Sequence, residues 1–434
     1  MIGRNTTLDD RTTLDGPLSR LSPSYVARRL VRTRLSALRD GLLVVEDPWG
    51  RWQAGDASAA PITLRVSDAD TYLAFVTGGS LGAARAFIDG HWSCTDLTTL
   101  LRLFIRNMAV LDGAESGLAT IANAVARFNH NLRANTRAGS RRNIHEHYDL
   151  GNDLFGLFLD DTMTYSAGIF EHASSSLRDA SIAKLDRICR KLALGPGDHV
   201  LEIGSGWGSF AMHAARYYGC RVTTTTISSE QFELAGERIA RADLGDRIEI
   251  LLEDYRNLTG RYDKLVSIEM VEAVGNQFLA GYFEKCAALL EANGAMLLQA
   301  ITMPDQRYRQ YLRSSDFIRH YIFPGSCVPS LGALVGAMSE KSDLKPVHVE
   351  DIGPHYARTL RLWRERFNER LDEVRELGYP QRFIRMWNYY LCYCEAGFEE
   401  RYLGDLQMLL HKPGCRTPAL LPPLSSATRQ RHES

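Results

Sequence analysis

Three closely spaced glycines form the most informative short motif in the sequence. Gly204, Gly206 and Gly208 follow the apolar run 200–203, and an apolar helical pattern resumes at Ser209. Glycine lets the backbone turn sharply and lets a ligand come close, while the free N–H groups of the following helix point at that ligand. The motif predicts a strand, a tight turn and a helix start that cradle a nucleotide-type ligand. It does not identify the ligand, because dinucleotide-binding folds use the similar spacing G-x-G-x-x-G.

Glu269 and Glu272 are a second feature whose spacing allows chemistry. Two acids three residues apart lie on the same side of the chain if a helical turn begins there. Carboxylates this close raise the pKa of one member, which suits a general base working near neutral pH. In the alternative interpretation, Glu269 forms an ion pair with an arginine such as Arg307 or Arg313. The sequence leaves both interpretations open.

The elements that position these residues follow from the hydrophobic pattern of the second half of the chain. A helix is predicted over 180–192, and a Pro-Gly-Asp turn then leads into the strand that ends at the glycines. Further strands are predicted over 221–226, 248–253, 264–269 and 296–300, and helices over 230–242 and 278–290. This alternation predicts right-handed βαβ units and a doubly wound parallel α/β sheet. Ligands of such sheets bind at the carboxyl ends of the strands.

The first part of the chain has the pattern of a smaller α+β domain. Short strands are predicted at 42–45 and 62–66, and helices at 24–38, 68–77, 82–89, 97–105 and 119–128. The helix at 24–38 is amphipathic and basic, which suits either an anionic membrane surface or a solvated outer face. We therefore predict a lipid- or membrane-associated domain over 1–126, a basic linker over 127–146, a catalytic domain over 147–415 and a disordered tail over 416–434.

The linker is recognised by its arginines, which occur without any acid. This composition suits a solvated linker or a patch that faces phosphate, because arginine pairs with phosphate through two hydrogen bonds. The residues are Arg127, Arg133, Arg137, Arg141 and Arg142.

The composition limits the classes of protein that the chain can form. It has 434 residues, of which 45% are hydrophobic and 24% charged, with a formal net charge of −1. This length predicts two domains, and the charge gives no general attraction to nucleic acid. No apolar leader or membrane-spanning run is evident, so we expect a cytoplasmic protein. The eight cysteines are scattered, and reduced buried thiols are favoured over a metal site at the Cys392-x-Cys394 pair.

The residues after the glycine turn narrow the choice of ligand. A dinucleotide fold would place an acid about twenty residues on, whereas this chain has threonines at 223–226. The turn, with Asp254 after a later strand, instead resembles the sheet of S-adenosylmethionine-dependent methyltransferases. More narrowly, the chain resembles the cyclopropane fatty acid synthases and mycolic acid methyltransferases. Four blocks carry this resemblance, namely 147–153 leading to Tyr165-Ser166, 201–208, 226–231 and 321–325, and the stretches at 79–82 and 89–92 resemble the N-terminal domain of bacterial cyclopropane synthases.

The resemblance implies a methyltransferase fold with helical lipid-binding insertions, S-adenosylmethionine as cofactor and the cis double bond of a phospholipid acyl chain as substrate. It also implies peripheral contact with the inner membrane surface and a homodimer. The aromatic helices predicted over 356–367 and 381–398 offer ring faces for a developing cation, or are ordinary core. Ser228 and Asp254 have the alternative role of helix caps. The implied cofactor residues are Tyr165, Ser166, Gly204, Gly206, Thr226, Gln231, Asp254 and Tyr255.

The sequence departs from the family at the site that binds a bicarbonate, which is the base in cyclopropane synthases. The family's Cys, Glu, His, Ile and Tyr ligands correspond to Ala167, Glu272, Gln299, Ile301 and Tyr356, so two polar ligands are replaced and bicarbonate is doubtful. Glu269 stands where the family usually has glycine. Our hypothesis is that Glu272, with Glu269 and Tyr356, takes the place of bicarbonate.

The altered base site leaves the product open. Proton loss from the added methyl group gives a cyclopropane or a methylene, whereas loss from a chain carbon gives a methyl-branched unsaturated chain. A non-catalytic relative that binds lipid or cofactor is the alternative of a different class.

Overall fold

The computed structural model describes residues 22–108, 150–314, 316–418 and 420. The chain forms two compact units. The first takes in the described parts of Met1–Leu132 together with Arg313–Ile322 and Asn368–Glu400, and the second takes in the described parts of Arg133–Leu312, Phe323–Phe367 and Arg401–Ser434. The predicted domain boundaries assigned both inserted segments to the catalytic domain. The linker arginines, the helix at 119–128 and most of the predicted tail lie outside the described residues.

The N-terminal part of the first unit is a four-stranded sheet with three helices. The strand order is β2-β1-β3-β4, with β1 parallel to β3 and the other pairs antiparallel. The predicted helices at 68–77 and 82–89 form one element with a kink at Gly79. In chain order the elements are α1 (Pro23–Leu35), β1 (Leu42–Asp47), β2 (Gly50–Gly55), β3 (Pro61–Val66), α2 (Thr71–Ile88), β4 (Trp92–Cys94) and α3 (Leu97–Arg106).

The second unit is built around a seven-stranded sheet, whereas two of the helices that follow in the chain, Leu371–Glu376 and Gln381–Glu399, belong to the first unit. The helices are α4 (Gly151–Phe158), α5 (Leu177–Lys191), α6 (Ser209–His213), α7 (Ser229–Arg241), α8 (Leu279–Leu289), α9 (Asp305–Leu312), α10 (Leu331–Lys341), α11 (Gly353–Glu369), α12 (Leu371–Glu376) and α13 (Gln381–Glu399). The strands are β5 (His199–Ile203), β6 (Arg221–Thr226), β7 (Ile248–Leu252), β8 (Tyr262–Ile268), β9 (Leu290–Thr302), β10 (Lys345–Asp351) and β11 (Gly404–His411). Short π-helical segments cover Ala214–Tyr218 and Ile318–Ile322, and 3-10 turns cover Tyr255–Asn257, Val271–Ala273 and Asn276–Phe278.

The topology of this sheet confirms the predicted α/β fold. The strand order is β10-β11-β9-β8-β5-β6-β7, in which β9 to β7 are parallel and the β10-β11-β9 pairs are antiparallel. The sequence analysis did not identify β10 and β11, and it predicted β9 only over 296–300.

Alternation along the central strands explains why helices cover both faces of the sheet. Leu201 of β5 and Leu265 of β8 belong to one buried hydrophobic cluster. Their neighbours Val200 and Val266 belong to another. Because successive side chains of a strand point to opposite faces, each face needs its own layer of apolar partners.

The register of four adjacent strands is important for the site described below. Gln299 of β9 is paired with Ile268 of β8 on one side and with Gln407 of β11 on the other. Gln407 is in turn opposite Glu350 of β10. Directly paired residues have neighbouring side chains, so three polar side chains stand side by side across the sheet and lead to the residue after Ile268, which is Glu269.

The aromatic helices of the C-terminal region do not form one cluster. Trp363 of α11 belongs to the second unit, where its ring lies 5.1 Å from that of Tyr165. Tyr389 of α13 belongs to the first unit and packs there against Phe87 and Phe317. For the α13 aromatics, therefore, the structure gives partners within the first unit.

Two further features concern the cysteines and the helices. All eight cysteines are free thiols, and six of them are buried. Among the described residues, none of the helices combines the length and apolar character that a membrane crossing requires.

Asp47 is the main polar anchor of the first unit. Its side chain is buried, and its Oδ2 accepts hydrogen bonds from Arg28 Nε at 2.6 Å, Tyr72 Oη at 2.6 Å and Trp52 Nε1 at 3.0 Å. Arg28 is also buried, so the ion pair is desolvated on both sides.

We predict that Asp47→Asn lowers the free energy of unfolding of the first unit by about 3–5 kcal/mol, because it leaves the Arg28 guanidinium buried without a counter-charge. The matched control is Glu46→Gln, which removes the exposed Arg65–Glu46 pair and is expected to change stability by less than about 1 kcal/mol. Urea unfolding followed by tryptophan fluorescence measures both. Equal small effects of the two substitutions would contradict the assignment of Asp47 as the anchor.

Candidate active site

The glycine turn begins directly after β5 and has the conformation that the sequence predicts. Gly204 and Gly206 have φ values of 96° and 49°, in the region that favours glycine. The N–H groups of Gly204 and Ser205 donate to the carbonyl of Thr225 at 3.0 and 2.9 Å, which ties the turn to the end of β6. A Cβ at Gly204 would lie 3.1 Å from Met270 Cγ, whereas one at Gly206 would meet nothing within 4 Å. The turn therefore has open space beside Gly206, as a ligand cradle requires.

The far side of the turn is held by side chains from two helices. Trp207 Nε1 donates to Asn152 Oδ1 of α4 at 2.6 Å. Arg238 of α7 donates to the Trp207 carbonyl at 2.6 Å. Both contacts fix the turn from outside and leave its inner edge to a ligand.

Thr226 and Gln231 lie together at the end of β6. Thr226 Oγ1 donates to Gln231 Oε1 at 2.9 Å and accepts from the N–H of Ser228 at 3.1 Å. Ser228 also caps α7 by accepting from the N–H of Gln231, so the structural role considered for Ser228 is realised. The predicted pair at this strand end is preorganised by its own hydrogen bonds.

Asp254 and Tyr255 follow β7 at the same edge of the sheet. Asp254 is buried and accepts from Arg256 N at 3.0 Å, Nε at 2.9 Å and Nη2 at 2.6 Å. It thus caps the 3-10 turn and forms an ion pair, which is the alternative role that the sequence allowed. Tyr255 packs edge-on against Tyr282 with ring centroids 5.6 Å apart and lines a cavity of about 660 Å³.

Tyr165 and Ser166 lie between aromatic rings and a buried lysine. The Tyr165 ring is 5.1 Å from both Phe155 and Trp363. Ser166 Oγ accepts from Lys184 Nζ of α5 at 2.7 Å. Lys184 is almost fully buried, and burial lowers its pKa to about 8 against the opposing effect of nearby carboxylates, chiefly Glu269. Sequence reasoning did not identify Lys184, because lysine in a helix is usually exposed.

The Glu269 carboxyl group accepts three hydrogen bonds from residues far apart in the sequence. Its Oε1 accepts from the N–H of Ala167 at 2.9 Å and from Gln299 Nε2 at 2.8 Å, and its Oε2 accepts from Tyr356 Oη at 2.6 Å. Burial raises the pKa of Glu269, while these hydrogen bonds and the charge of Lys184 oppose that rise. The partners that the structure gives Glu269 include no arginine among the described residues, so the ion pair with Arg307 or Arg313 is not formed.

The backbone of Glu269 is also unusual. Its φ is 49°, in the left-handed region that costs a residue with a side chain on the order of 1–3 kcal/mol. Its N–H donates to the Gln299 carbonyl at 2.8 Å. The family's usual glycine at this position fits that φ, and here the conformation is retained with a carboxylate side chain.

Glu272 lies in the 3-10 turn that follows and has fewer partners. Its Oε1 accepts from the N–H of Ile301 at 2.6 Å, and its buried Oε2 has no hydrogen-bond partner among the described residues. Burial, and then the negative charge of Glu269, raise the pKa of Glu272 to about 8. Glu269 and Glu272 do interact electrostatically, although the positive φ of Glu269 means that they do not share one helical turn.

Asp405 of β11 is a third carboxyl group, which sequence reasoning missed. Its Oδ2 accepts from the same Gln299 Nε2 at 2.9 Å, and the residue is fully buried. Burial, and then the charges of Glu269 and Glu272, raise the pKa of Asp405 well above its usual range. The available signal was the alternation of Asp405 and Gln407 with apolar residues in 404–411, which is typical of a strand.

Comparison with known proteins shows the family to which the chain belongs. Residues 135–408 match the protein family described as mycolic acid cyclopropane synthetase. A tuberculostearic acid methyltransferase of Mycobacterium tuberculosis is 38% identical over 408 residues, which is 92% of this chain and 93% of that protein. The cyclopropane-fatty-acyl-phospholipid synthase of Escherichia coli strain K12 is 36% identical over 355 residues, covering 81% of this chain and 87% of the synthase.

The fold is likewise shared with solved structures. The mycolic acid cyclopropane synthase CmaA1 complexed with SAH and CTAB superposes with a TM-score of 0.59 at 31% identity, covering 63% of this chain and 98% of that one. The cyclopropane synthase MmaA2 from Mycobacterium tuberculosis gives a TM-score of 0.58 at 30% identity, with the same coverage. With the glycine turn, the strand-end residues and the carboxyl cluster in one unit, the chain belongs to the cyclopropane synthetase family of S-adenosylmethionine-dependent lipid methyltransferases.

Proposed function

We propose that the enzyme methylates the cis double bond of unsaturated phospholipid acyl chains and that the Glu269 carboxylate, in place of bicarbonate, accepts the proton that is lost. One observation carries this proposal. The three donors to Glu269 come from Ala167, Gln299 and Tyr356, which are three of the five positions that bind bicarbonate in the resembling synthases. The side chain of Glu269 therefore has the hydrogen bonds that the bound anion would have.

The charges in the cluster favour Glu269 over Glu272 as the ionised group. Hydrogen bonds to a carboxylate stabilise its charged form, and Glu269 accepts three while the Glu272 side chain accepts one. With a pKa of about 8, Glu272 is mostly protonated at neutral pH. Burial, and then the charges of Glu269 and Glu272, also raise the pKa of Asp405 well above its usual range. Glu269 and Glu272 are both partly exposed, so the number of hydrogen bonds, and not accessibility, separates them. Glu272, which the sequence hypothesis placed first among the groups that replace bicarbonate, is then a protonated, uncharged neighbour of Glu269.

S-adenosylmethionine supplies a methyl group on a positively charged sulfonium, which is electrophilic enough for an alkene. The open space at Gly206 and the bonded Thr226–Gln231 pair support its binding at the carboxyl ends of β5 and β6. Lys184 holds the Ser166 hydroxyl in place at that end of the site. The residues proposed to hold the cofactor are Tyr165, Ser166, Gly204, Gly206, Thr226, Gln231, Asp254 and Tyr255.

Aromatic rings beside Glu269 suit the carbocation that forms on the acyl chain. Trp363 lies 6.1 Å from the Tyr356 ring and 5.1 Å from the Tyr165 ring, so the three form a continuous aromatic wall. Ring faces and a carboxylate attract a cation most strongly where water is excluded. Trp363 is fully buried, whereas Tyr165 is partly exposed, so the Tyr165 ring is the one proposed to face the cation.

We further propose that the product is not a cyclopropane. The base is fixed to the chain at Glu269 instead of bound as a free anion, so the carbon that loses its proton is selected by a different geometry. The relative from Mycobacterium tuberculosis is a tuberculostearic acid methyltransferase, which supports a methylene or a methyl-branched product. The site residues support a catalytic enzyme over the non-catalytic alternative.

The outer face of α1 is proposed to contact the membrane. Val26 and Leu30 are 52% and 49% exposed, and Arg29 and Arg34 are exposed on the same helix. Residues 26, 29, 30 and 33 share one helix face. Exposed apolar side chains among arginines suit an anionic lipid surface. A homodimer remains a prediction from the resemblance.

The role of Glu269 predicts that Glu269→Gln lowers turnover by roughly 100-fold or more, because an amide cannot accept the proton, while S-adenosylmethionine affinity is unchanged. Glu272→Gln, which mimics the protonated acid, should keep most activity. Removing bicarbonate from the buffer should have no effect. Release of S-adenosylhomocysteine with unsaturated phospholipid vesicles measures turnover, and calorimetry measures affinity. Loss of activity in Glu272→Gln with activity kept in Glu269→Gln would assign the base to Glu272.

Activity should also fall as the pH is lowered, because the base must be ionised. Burial raises the pKa of Glu269 above its ordinary value of 4.5, so the acid limb of the profile lies above that value.

The product is identified by mass spectrometry of lipids from cells that express the enzyme and are fed methionine labelled with three deuterium atoms on its methyl group. A methyl-branched internal alkene keeps all three, whereas a methylene or a cyclopropane keeps two. Catalytic hydrogenation then reduces a methylene and leaves the ring intact. A ring product that resists hydrogenation would overturn the proposed product and leave the methyltransferase activity standing.

Membrane contact predicts that the double substitution Val26→Asp with Leu30→Asp reduces binding to anionic phospholipid vesicles by about tenfold or more, since it removes apolar contact and adds negative charge. Leu252→Asp is the matched control, because Leu252 is equally exposed at 50% but lies in β7. Co-sedimentation at low and high salt measures binding. Unchanged binding of the α1 variant would exclude this face.

A further inference from the structure

A line of hydrogen bonds runs across the sheet and ends at Glu269. Lys191 Nζ donates to Gln407 Oε1 at 2.8 Å, and Gln407 Nε2 donates to Gln299 Oε1 at 3.1 Å. Gln299 Nε2 then donates to Glu269 Oε1 at 2.8 Å and to Asp405 Oδ2 at 2.9 Å. Gln299, Gln407 and Asp405 are fully buried, and Lys191 is 5% exposed. Water therefore has almost no access to these four side chains.

The direction of the line is set at its lysine end. An ammonium group has three donors and no acceptor, so Gln407 must turn its oxygen towards Lys191 and its NH₂ group towards Gln299. Gln299 must in turn present its oxygen to Gln407 and both of its N–H bonds to the two carboxyl groups. The reverse orientation would place the Gln299 oxygen against the Glu269 carboxylate, where two acceptors repel.

The strand register explains how Lys191 on α5 is connected to Glu269, the residue that follows β8. Glu350, Gln407 and Gln299 are direct cross-strand neighbours on β10, β11 and β9. Glu350 Oε2 also lies 2.7 Å from Lys191 Nζ, and Arg187 pairs with the same carboxylate. Burial raises the pKa of Glu350, but hydrogen bonds from Arg187 and Lys191 outweigh it and bring the pKa to about 2. Burial lowers the pKa of Lys191, and the anionic Glu350 opposes that lowering through its hydrogen bond and its charge.

We propose that Lys191 and Gln407 are positioning residues that fix the direction of the Gln299 amide, so that its NH₂ group always faces the base Glu269 and the neighbouring Asp405. Neither residue touches the substrate or the cofactor in this role. The inference rests on the proposed function of Glu269. It assigns a catalytic purpose to a helix residue and a strand residue outside the site proper.

The test uses Lys191→Met and Gln407→Met in the full-length protein, with the pH profile of methyl transfer as the readout. Without the directing cation, the Gln299 amide can rotate and its oxygen can face Glu269, which disfavours the ionised carboxylate. We expect the acid limb of the profile to move up by about one pH unit, so that the rate on that limb falls about tenfold, while the plateau at high pH changes little. The other charged or titratable groups around Glu269 are Lys184, Glu272, Asp405 and Tyr356, and neither substitution changes them.

Two further variants separate positioning from packing. Lys191→Arg retains a cation and should restore the wild-type profile. Arg187→Met removes the outer partner of Glu350 and leaves the Lys191–Gln407 bond intact, so its acid limb should stay in place. S-adenosylmethionine affinity should be unchanged in all four variants. If Lys191→Met does not fold, Gln407→Met decides.

An unshifted acid limb in a folded Lys191→Met or Gln407→Met variant overturns the proposal. The activity of Glu269→Gln separates this outcome from failure of the proposed base. If Glu269 is not the base, Glu269→Gln remains active. If only the directing role of Lys191 and Gln407 is wrong, Glu269→Gln is inactive and the acid limb of the Lys191→Met and Gln407→Met variants stays in place.

Discussion

A carboxylate removed from water is stable only where donors and a counter-charge replace its hydration. Glu269 is in this position, and its donors come from the loop residue Ala167, from Gln299 of β9 and from Tyr356 of α11. Lys184 of α5 supplies a positive charge that lowers the pKa of Glu269 against the effect of burial. Each of these elements is held by separate parts of the fold. The hydrogen bonds and the counter-charge of this one carboxylate therefore connect the sheet to α5 and to α11.

The need for donors and a counter-charge also limits how many carboxyl groups of the cluster can be ionised at once. Glu269, Glu272 and Asp405 share one desolvated region, and each ionised group disfavours ionisation of the next. One anion beside Lys184 leaves the region close to neutral. The hydrogen bonds favour Glu269 as that anion, because its carboxylate accepts three of them. One oxygen of Glu272 and one of Asp405 have no hydrogen-bond partner among the described residues.

The features that the sequence predicted correctly are those encoded by residues close together in the chain. The parallel strands, the glycine turn and the Thr226–Gln231 pair were predicted because each is encoded by a local pattern, and β6 matches its predicted bounds. Ala167, Gln299 and Tyr356 were found only through resemblance, since residues so far apart have no local signal in common. Asp405 and Gln407 were missed because they reach the site through the antiparallel pairing of β11 with β9, a contact that no spacing rule predicts. Lys191 was missed because it joins them from α5 through a side-chain hydrogen bond to Gln407. The expected helical turn joining Glu269 to Glu272 failed at one dihedral, the positive φ of Glu269.

That dihedral also shows how a base can be built into the chain. Glycine fits a φ of 49° without strain, and a carboxylate side chain there is stable because its three hydrogen bonds offset a cost on the order of 1–3 kcal/mol. A tethered anion need not be recruited from solution, and its position is fixed relative to the aromatic wall of Tyr165, Trp363 and Tyr356. It also cannot diffuse away with its proton as a bicarbonate can. In the proposed function the proton leaves Glu269 either to water, since Glu269 is partly exposed, or through a hydrogen-bonded neighbour. Of its three donors, Tyr356 Oη, at 2.6 Å from Oε2, is the one that can both accept and donate a proton, since the Gln299 amide and the Ala167 N–H only donate to the carboxylate. If Glu269 is the base, as proposed, the Tyr356 hydroxyl both stabilises its charged form and offers a route for the proton that it accepts.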